Sequence, residues 1–79
     1  MKHARVDYNR IQDPANLIPD DEPVFLIRGQ DPAGAVAVLA WADAAEKLGA
    51  GPEMLWRARS HADTMARYAK EHGKEVPDL

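Results

Sequence analysis

The chain has 79 residues, ten basic and thirteen acidic, for a formal charge of −3, and it contains no cysteine. That length makes one small domain, 1–79, and the missing cysteines exclude disulfides, thiol catalysis and cysteine-ligated metals, as suits a reducing cytosol. The acidic balance disfavours the basic stripe of a nucleic-acid binder, no apolar stretch nears the roughly 20 residues of a membrane helix, and MKHARVDYNR at the start lacks the apolar segment of a signal peptide.

Residues 3–8, HARVDY, set Ala4, Val6 and Tyr8 against His3, Arg5 and Asp7. Period two predicts a short strand. Residues 9–23 carry Pro14, Pro19 and Pro23 among asparagines and aspartates, so the chain should run there as an irregular connection, held down by Leu17 and Ile18. Val24-Phe25-Leu26-Ile27 is β-branched and aromatic between Pro23 and Gly29. It predicts a second strand over about 24–28, with both faces at least partly covered.

Asp31-Pro32 is a helix start, an aspartate to cap free N–H groups and a proline for the first helical position. From there to Leu48 an amphipathic helix is expected, with Ala35, Val38, Leu39, Trp41, Ala42, Ala45 and Leu48 inward and Asp43, Glu46 and Lys47 outward. Gly49-Ala50-Gly51 breaks the chain, and Pro52 opens a second helix to about residue 72, with Leu55, Ala58, Ala62, Met65 and Ala69 as its apolar stripe. The short break makes the helices antiparallel neighbours, and residues 74–79 should form a flexible tail. The expected fold class is α+β: one or two short strands packed against an antiparallel helical hairpin, about 32–48 and 52–72.

No set of side chains makes a complete chemical motif. His61 has Arg57 and Met65 at the offsets where a helical metal site needs a second ligand, His72 has Tyr68 and Val76, and His3 is isolated. Ser60 and His61 are adjacent on a helix and cannot face each other. Gly29, Gly34, Gly49 and Gly51 fit neither a phosphate loop nor a dinucleotide fingerprint. The expectation is no enzyme, no cofactor and no metal. Arg57, Arg59 and Arg67 with Trp56 and Tyr68 could meet phosphates and bases, but Glu53, Asp63 and Glu71 interleave with them as on an exposed charge-laced helix. A nucleic-acid-binding regulator therefore stands as the alternative, and direct nucleic-acid contact is not expected.

Two features remain. Asp20, Asp21 and Glu22 precede the apolar run consecutively, as either the solvated edge of a strand or a negative patch for a partner, with Asp13 and Asp31 near in sequence. Trp56 lies off the stripe of the second helix, where it could anchor an interface or cap the end of the core. One strand and two alanine-rich helices bury little, so a homodimer through this margin or the strand edge is expected.

The stretches VDYNRIQDP and IPDDEPVFLIRGQD resemble small phage and prophage proteins of proteobacteria, and through them type I anti-CRISPR proteins, over roughly residues 5–31. The helical remainder is similar only in character, and anti-CRISPR proteins share no motif whose residues could be carried over. The resemblance implies a non-enzymatic inhibitor in the bacterial cytosol. It would bind a type I (I-C-like) CRISPR–Cas surveillance complex and block target DNA binding or nuclease recruitment. A phage structural or assembly protein is the further alternative. The basic channel of an RNA-guided complex would attract an acidic patch. Asp13, Asp20, Asp21, Glu22 and Asp31 are then the expected electrostatic contacts and Trp56 the apolar anchor.

Overall fold

The computed structural model describes residues 1–5, 13–73 and 75–76, the His3 side chain excepted. Strand β1, Lys2–His3, pairs in parallel with β2, Pro23–Val24, and the chain then forms helix α1, Gly34–Lys47, and helix α2, Pro52–His72. The helices pack on each other as a hairpin. The molecule is mostly helical, with the strands reduced to a two-residue bridge.

The shortness of the bridge corrects the strand expectations. Of the first expected strand only His3 is paired; Ala4 and Arg5 bend away, and residues 6–8 lie outside the described residues. Of residues 24–28 only Val24 pairs among the described residues, where β1 ends at His3. Pro23 is tolerable as the first residue of its strand, where no donor is needed. Residues 26–30 run instead along α2, and Phe25 is 60% exposed, so the apolar run is not covered on both faces.

Helix α1 begins two residues after the expected Pro32. Asp31 is the cause: its Oδ1 accepts the Ala33 N–H at 2.8 Å and its carbonyl accepts the Gly34 N–H at 2.9 Å. Those bonds close a tight turn before the first helical bond, from Ala37 N–H to the Ala33 carbonyl at 3.0 Å, can form. The helix ends in a Schellman arrangement, with Gly49 N–H donating to the Glu46 carbonyl at 3.1 Å and Ala50 N–H to that of Ala45 at 2.9 Å. This requires the left-handed region at Gly49, whose φ is +94°. Gly51 and Pro52 then open α2 in an order that suits a helix N-terminus.

The core is thin. Its buried apolar side chains are Ala42 on α1 and Leu55, Ala62 and Met65 on α2, and no large side chain among the described residues is fully buried. Val38, Ala35 and Ala45 are half-buried beside Ala42. Small residues on the facing sides let the helices approach, and Gly34 shows how closely the loop follows. A Cβ there would meet the Met65 methyl and the Arg28 carbonyl oxygen, both at 3.0 Å.

Trp41, expected in this core, is 51% exposed, and Leu48, expected beside it, is 89% exposed. Leu39 is exposed as well. The apolar arc of α1 is wider than the strip one neighbouring helix can cover, so these side chains fall outside the hairpin seam. Across that seam, the Arg59 guanidinium of α2 donates to Asp43 Oδ1 at 3.1 Å and Glu46 Oε1 at 3.2 Å on α1. Those two hydrogen bonds, Asp43 first, raise the Arg59 pKa beyond its ordinary value.

Candidate protein-interaction surface

The acidic residues Asp20, Asp21 and Glu22 occupy one β-turn. Glu22 N–H donates to the Pro19 carbonyl at 3.2 Å, which places Asp20 and Asp21 at the two central positions. The Glu22 carbonyl in turn accepts the Lys2 N–H at 2.7 Å, tying the end of the turn to β1. Pro19 and Pro23 bracket the turn and restrict the chain on either side of it. All three acidic residues are exposed, and none has an ion-pair partner among the described residues. The result is three formal negative charges on a backbone fixed by two hydrogen bonds.

Asp13 and Asp31, grouped with these residues by sequence, do different work. Asp13 is half-buried, and its two oxygens accept the N–H groups of Leu17 at 3.2 Å and Ile18 at 2.9 Å. With Asn16 N–H on the Asp13 carbonyl at 2.9 Å and Asn16 at φ +52°, this carboxylate folds the loop 13–18 around itself. It takes over the anchoring expected of Leu17, which is 80% exposed. One oxygen of Asp31 is engaged by the Ala33 N–H before α1. The positions of both carboxylates are set by the loops they organise.

Trp56 is 68% exposed. It stands one helical turn from Glu53 and from Ser60 on the outward side of α2, away from Leu55, Ala62 and Met65. It does not cap the core.

The three arginines of α2 are each paired within the hairpin. Arg57 meets Glu53 at 2.9 Å, Arg67 meets Asp63 at 3.1 Å, and Arg59 bridges to α1. The first two are exposed pairs four residues apart, of little weight for stability, yet each places a carboxylate beside the guanidinium a phosphate would have to reach.

A groove of about 380 Å³ lies between residues 26–30 and α2, lined by Leu26, Ile27, Gly29, Met65 and Tyr68, with Arg28, Gln30, His61 and Thr64 at its polar margin. Sequence reasoning missed it because it read residues 26–28 as strand. Tyr68 and His72 add a tilted ring pair, 4.7 Å between centroids, one turn further along α2. The groove has no carboxylate in its lining, the Thr64 hydroxyl donates to the Ser60 carbonyl at 3.3 Å, and no three metal-ligating side chains cluster among the described residues. No helix among them is long and apolar enough to cross a membrane.

Against known families, curated proteins and solved structures the chain finds no match. The class defined by the fold is a small helical hairpin with an acidic turn at its strand bridge.

Proposed function

We propose that this protein acts by occupying a surface of another protein, with the turn Asp20-Asp21-Glu22 as its leading contact. One observation carries the reading: three consecutive carboxylates are presented to solvent on a turn pinned at Glu22 by its bonds to Pro19 and Lys2, without an ion-pair partner among the described residues. Charges so placed act mainly on encounter rate and orientation, raising association severalfold or more at low salt. Most of the affinity must come from apolar contact, for which Trp56 is one exposed anchor. Asp13 and Asp31 contribute at second rank, since each already fixes a loop.

The partner class follows from the resemblance. A type I CRISPR–Cas effector has a basic channel for its guide and target, and an acidic turn entering that channel or the nuclease-docking face beside it would make the protein a stoichiometric inhibitor in the bacterial cytosol. The pairing of Arg57, Arg59 and Arg67 with carboxylates weighs against the nucleic-acid alternative.

The test is binding of the purified chain to a purified type I effector, with the triple variant Asp20→Lys, Asp21→Lys and Glu22→Lys beside the wild type. Wild-type binding that falls at least about tenfold (~1.4 kcal/mol) in the variant supports the proposal. Equal binding by both removes the turn from the interface, and no binding by either removes this partner.

A further inference from the structure

We infer that α1 carries a second, uncharged docking face, and that its occupant is the same face of another copy of this chain, set antiparallel. The inference is independent of the acidic turn. It moves self-association away from the Trp56 margin and the strand edge to a face of α1 that includes Trp41 and Leu48, both expected in the core.

The face is Ala37, Trp41, Ala44 and Leu48. Their spacing of four, three and four residues keeps them on one line of a helix, as in a coiled-coil seam. In the structure that line is open. Trp41, Ala44 and Leu48 are exposed and line a shallow depression of about 470 Å³ with Ala45, Gly49 and Ala50, and Ala37, outside the depression, is half-buried one turn before Trp41. The charged residues of α1, Asp43, Glu46 and Lys47, stand off this line, and two of them are already turned to Arg59.

The order of sizes along the line identifies the occupant. Read from the N-terminal end it runs small, large, small, large. A two-fold axis between residues 42 and 43 sets Trp41 of one copy against Ala44 of the other, and Leu48 against Ala37. Every layer then joins a large side chain to a small one, the interdigitation that close packing needs. A parallel pair would instead stack Trp41 on Trp41 and leave Ala44 opposite Ala44. The face is self-complementary in one orientation only, as an isologous interface must be.

Area sets the strength. At 51% exposure, Trp41 offers about 130 Å², taking the upper end of the ~150–250 Å² an aromatic side chain can bury. Four seam residues thus bury a few hundred Å² per copy, below the ~800 Å² per partner of a stable complex, so the dimer is weak, in the range of about 1 µM or weaker.

Sedimentation equilibrium of the full chain tests this, over about 5 to 500 µM, which lies within that range. The wild type should pass from monomer to dimer. Leu48→Asp and Ala44→Leu should each weaken association at least about tenfold, one by burying a charge and the other by crowding Trp41 of the second copy. Both positions are exposed, so both variants should stay folded, with the Ala44→Leu monomer melting near the wild type and Leu48→Asp a few degrees lower, since its charge sits at the C-terminal end of α1. Orientation is read by cross-linking, since the chain has no cysteine of its own. Ala37→Cys chains mixed with Leu48→Cys chains should form a mixed disulfide, and Ala37→Cys alone should not, because antiparallel helices hold those positions about 16 Å apart along the axis. A wild type that stays monomeric throughout overturns the inference. So do single variants that dimerise as the wild type does, or Ala37→Cys chains that cross-link with themselves.

Discussion

The interhelical turn makes a sharp prediction, because two glycines separated by one residue should respond to substitution with opposite signs. Gly49 is held at φ +94° by the Schellman bonds, and a Cβ added there touches nothing. Any loss in Gly49→Ala is therefore backbone strain, about 1–2 kcal/mol for an L-residue in the left-handed region. Gly51 is the N-cap of α2 at φ −69° and ψ 157°, ordinary extended backbone, with no side-chain cap and no atom near an added Cβ. Gly51→Ser supplies a hydroxyl for a free N–H of the first turn, worth a few tenths of a kcal/mol over glycine. It also restricts the unfolded chain by about 0.4–1 kcal/mol, so the net gain is about 0.5–1 kcal/mol. At about 4–8 °C per kcal/mol for a domain of this size, Gly49→Ala should melt at least about 4 °C below the wild type and Gly51→Ser about 2–8 °C above it. Circular dichroism melts at a concentration well below that of self-association would read both shifts without mass-action contributions. Shifts of the same sign, or a Gly49→Ala within 1 °C of the wild type, would refute the assignment of the left-handed residue to Gly49.

Other substitutions probe other contacts. Asp13→Ala should speed amide exchange at Leu17 and Ile18 and cost about 1 kcal/mol in urea unfolding, through loss of the two bonds its carboxylate accepts. Arg59→Gln should lower the melting temperature by an amount that shrinks between 0.1 and 1 M salt, as the screening length falls from about 10 to 3 Å; a salt-independent loss would show that Arg59 acts through its packed stem instead. Gly34→Val should cost about 1–3 kcal/mol, since its first carbon already presses on the Arg28 carbonyl, which cannot yield as the Met65 methyl can. The triple lysine variant of the acidic turn should unfold within about 0.5 kcal/mol of the wild type, which makes it a clean probe of binding.

The helical hairpin was legible in the sequence because its punctuation is chemical. Pro52 and Gly73 bound α2, expected over 52–72 and found at Pro52–His72, and Gly49 ends α1 where a positive φ is required. The start of α1 was displaced because Asp31 has two ways to satisfy a backbone donor, and the tight turn won over the helix cap. The apolar run 24–27 read as strand because hydropathy registers burial potential, whereas a strand also needs a neighbour, and among the described residues the pairing stops at His3 and Val24. Trp41 was misplaced for a related reason. Periodicity marks the apolar arc of a helix, and nothing in a single sequence says how much of that arc a two-helix fold can cover. The acidic trio was visible as charge, but its presentation on a pinned turn, and the diversion of Asp13 into loop building, depend on backbone bonds that spacing does not encode.

The smallest side chains of the hairpin impose its tightest constraint. Ala42 and Ala62 are almost completely enclosed, at 0% and 1% exposure, on helices that meet through alanine and not through bulk. A methyl group added at either site wedges the helices apart and shifts everything mounted on them. Most outward positions, Trp41, Leu48 and Trp56 among them, can change without touching that spacing. Such a scaffold leaves variation free to rewrite the outward surface while its frame stays still.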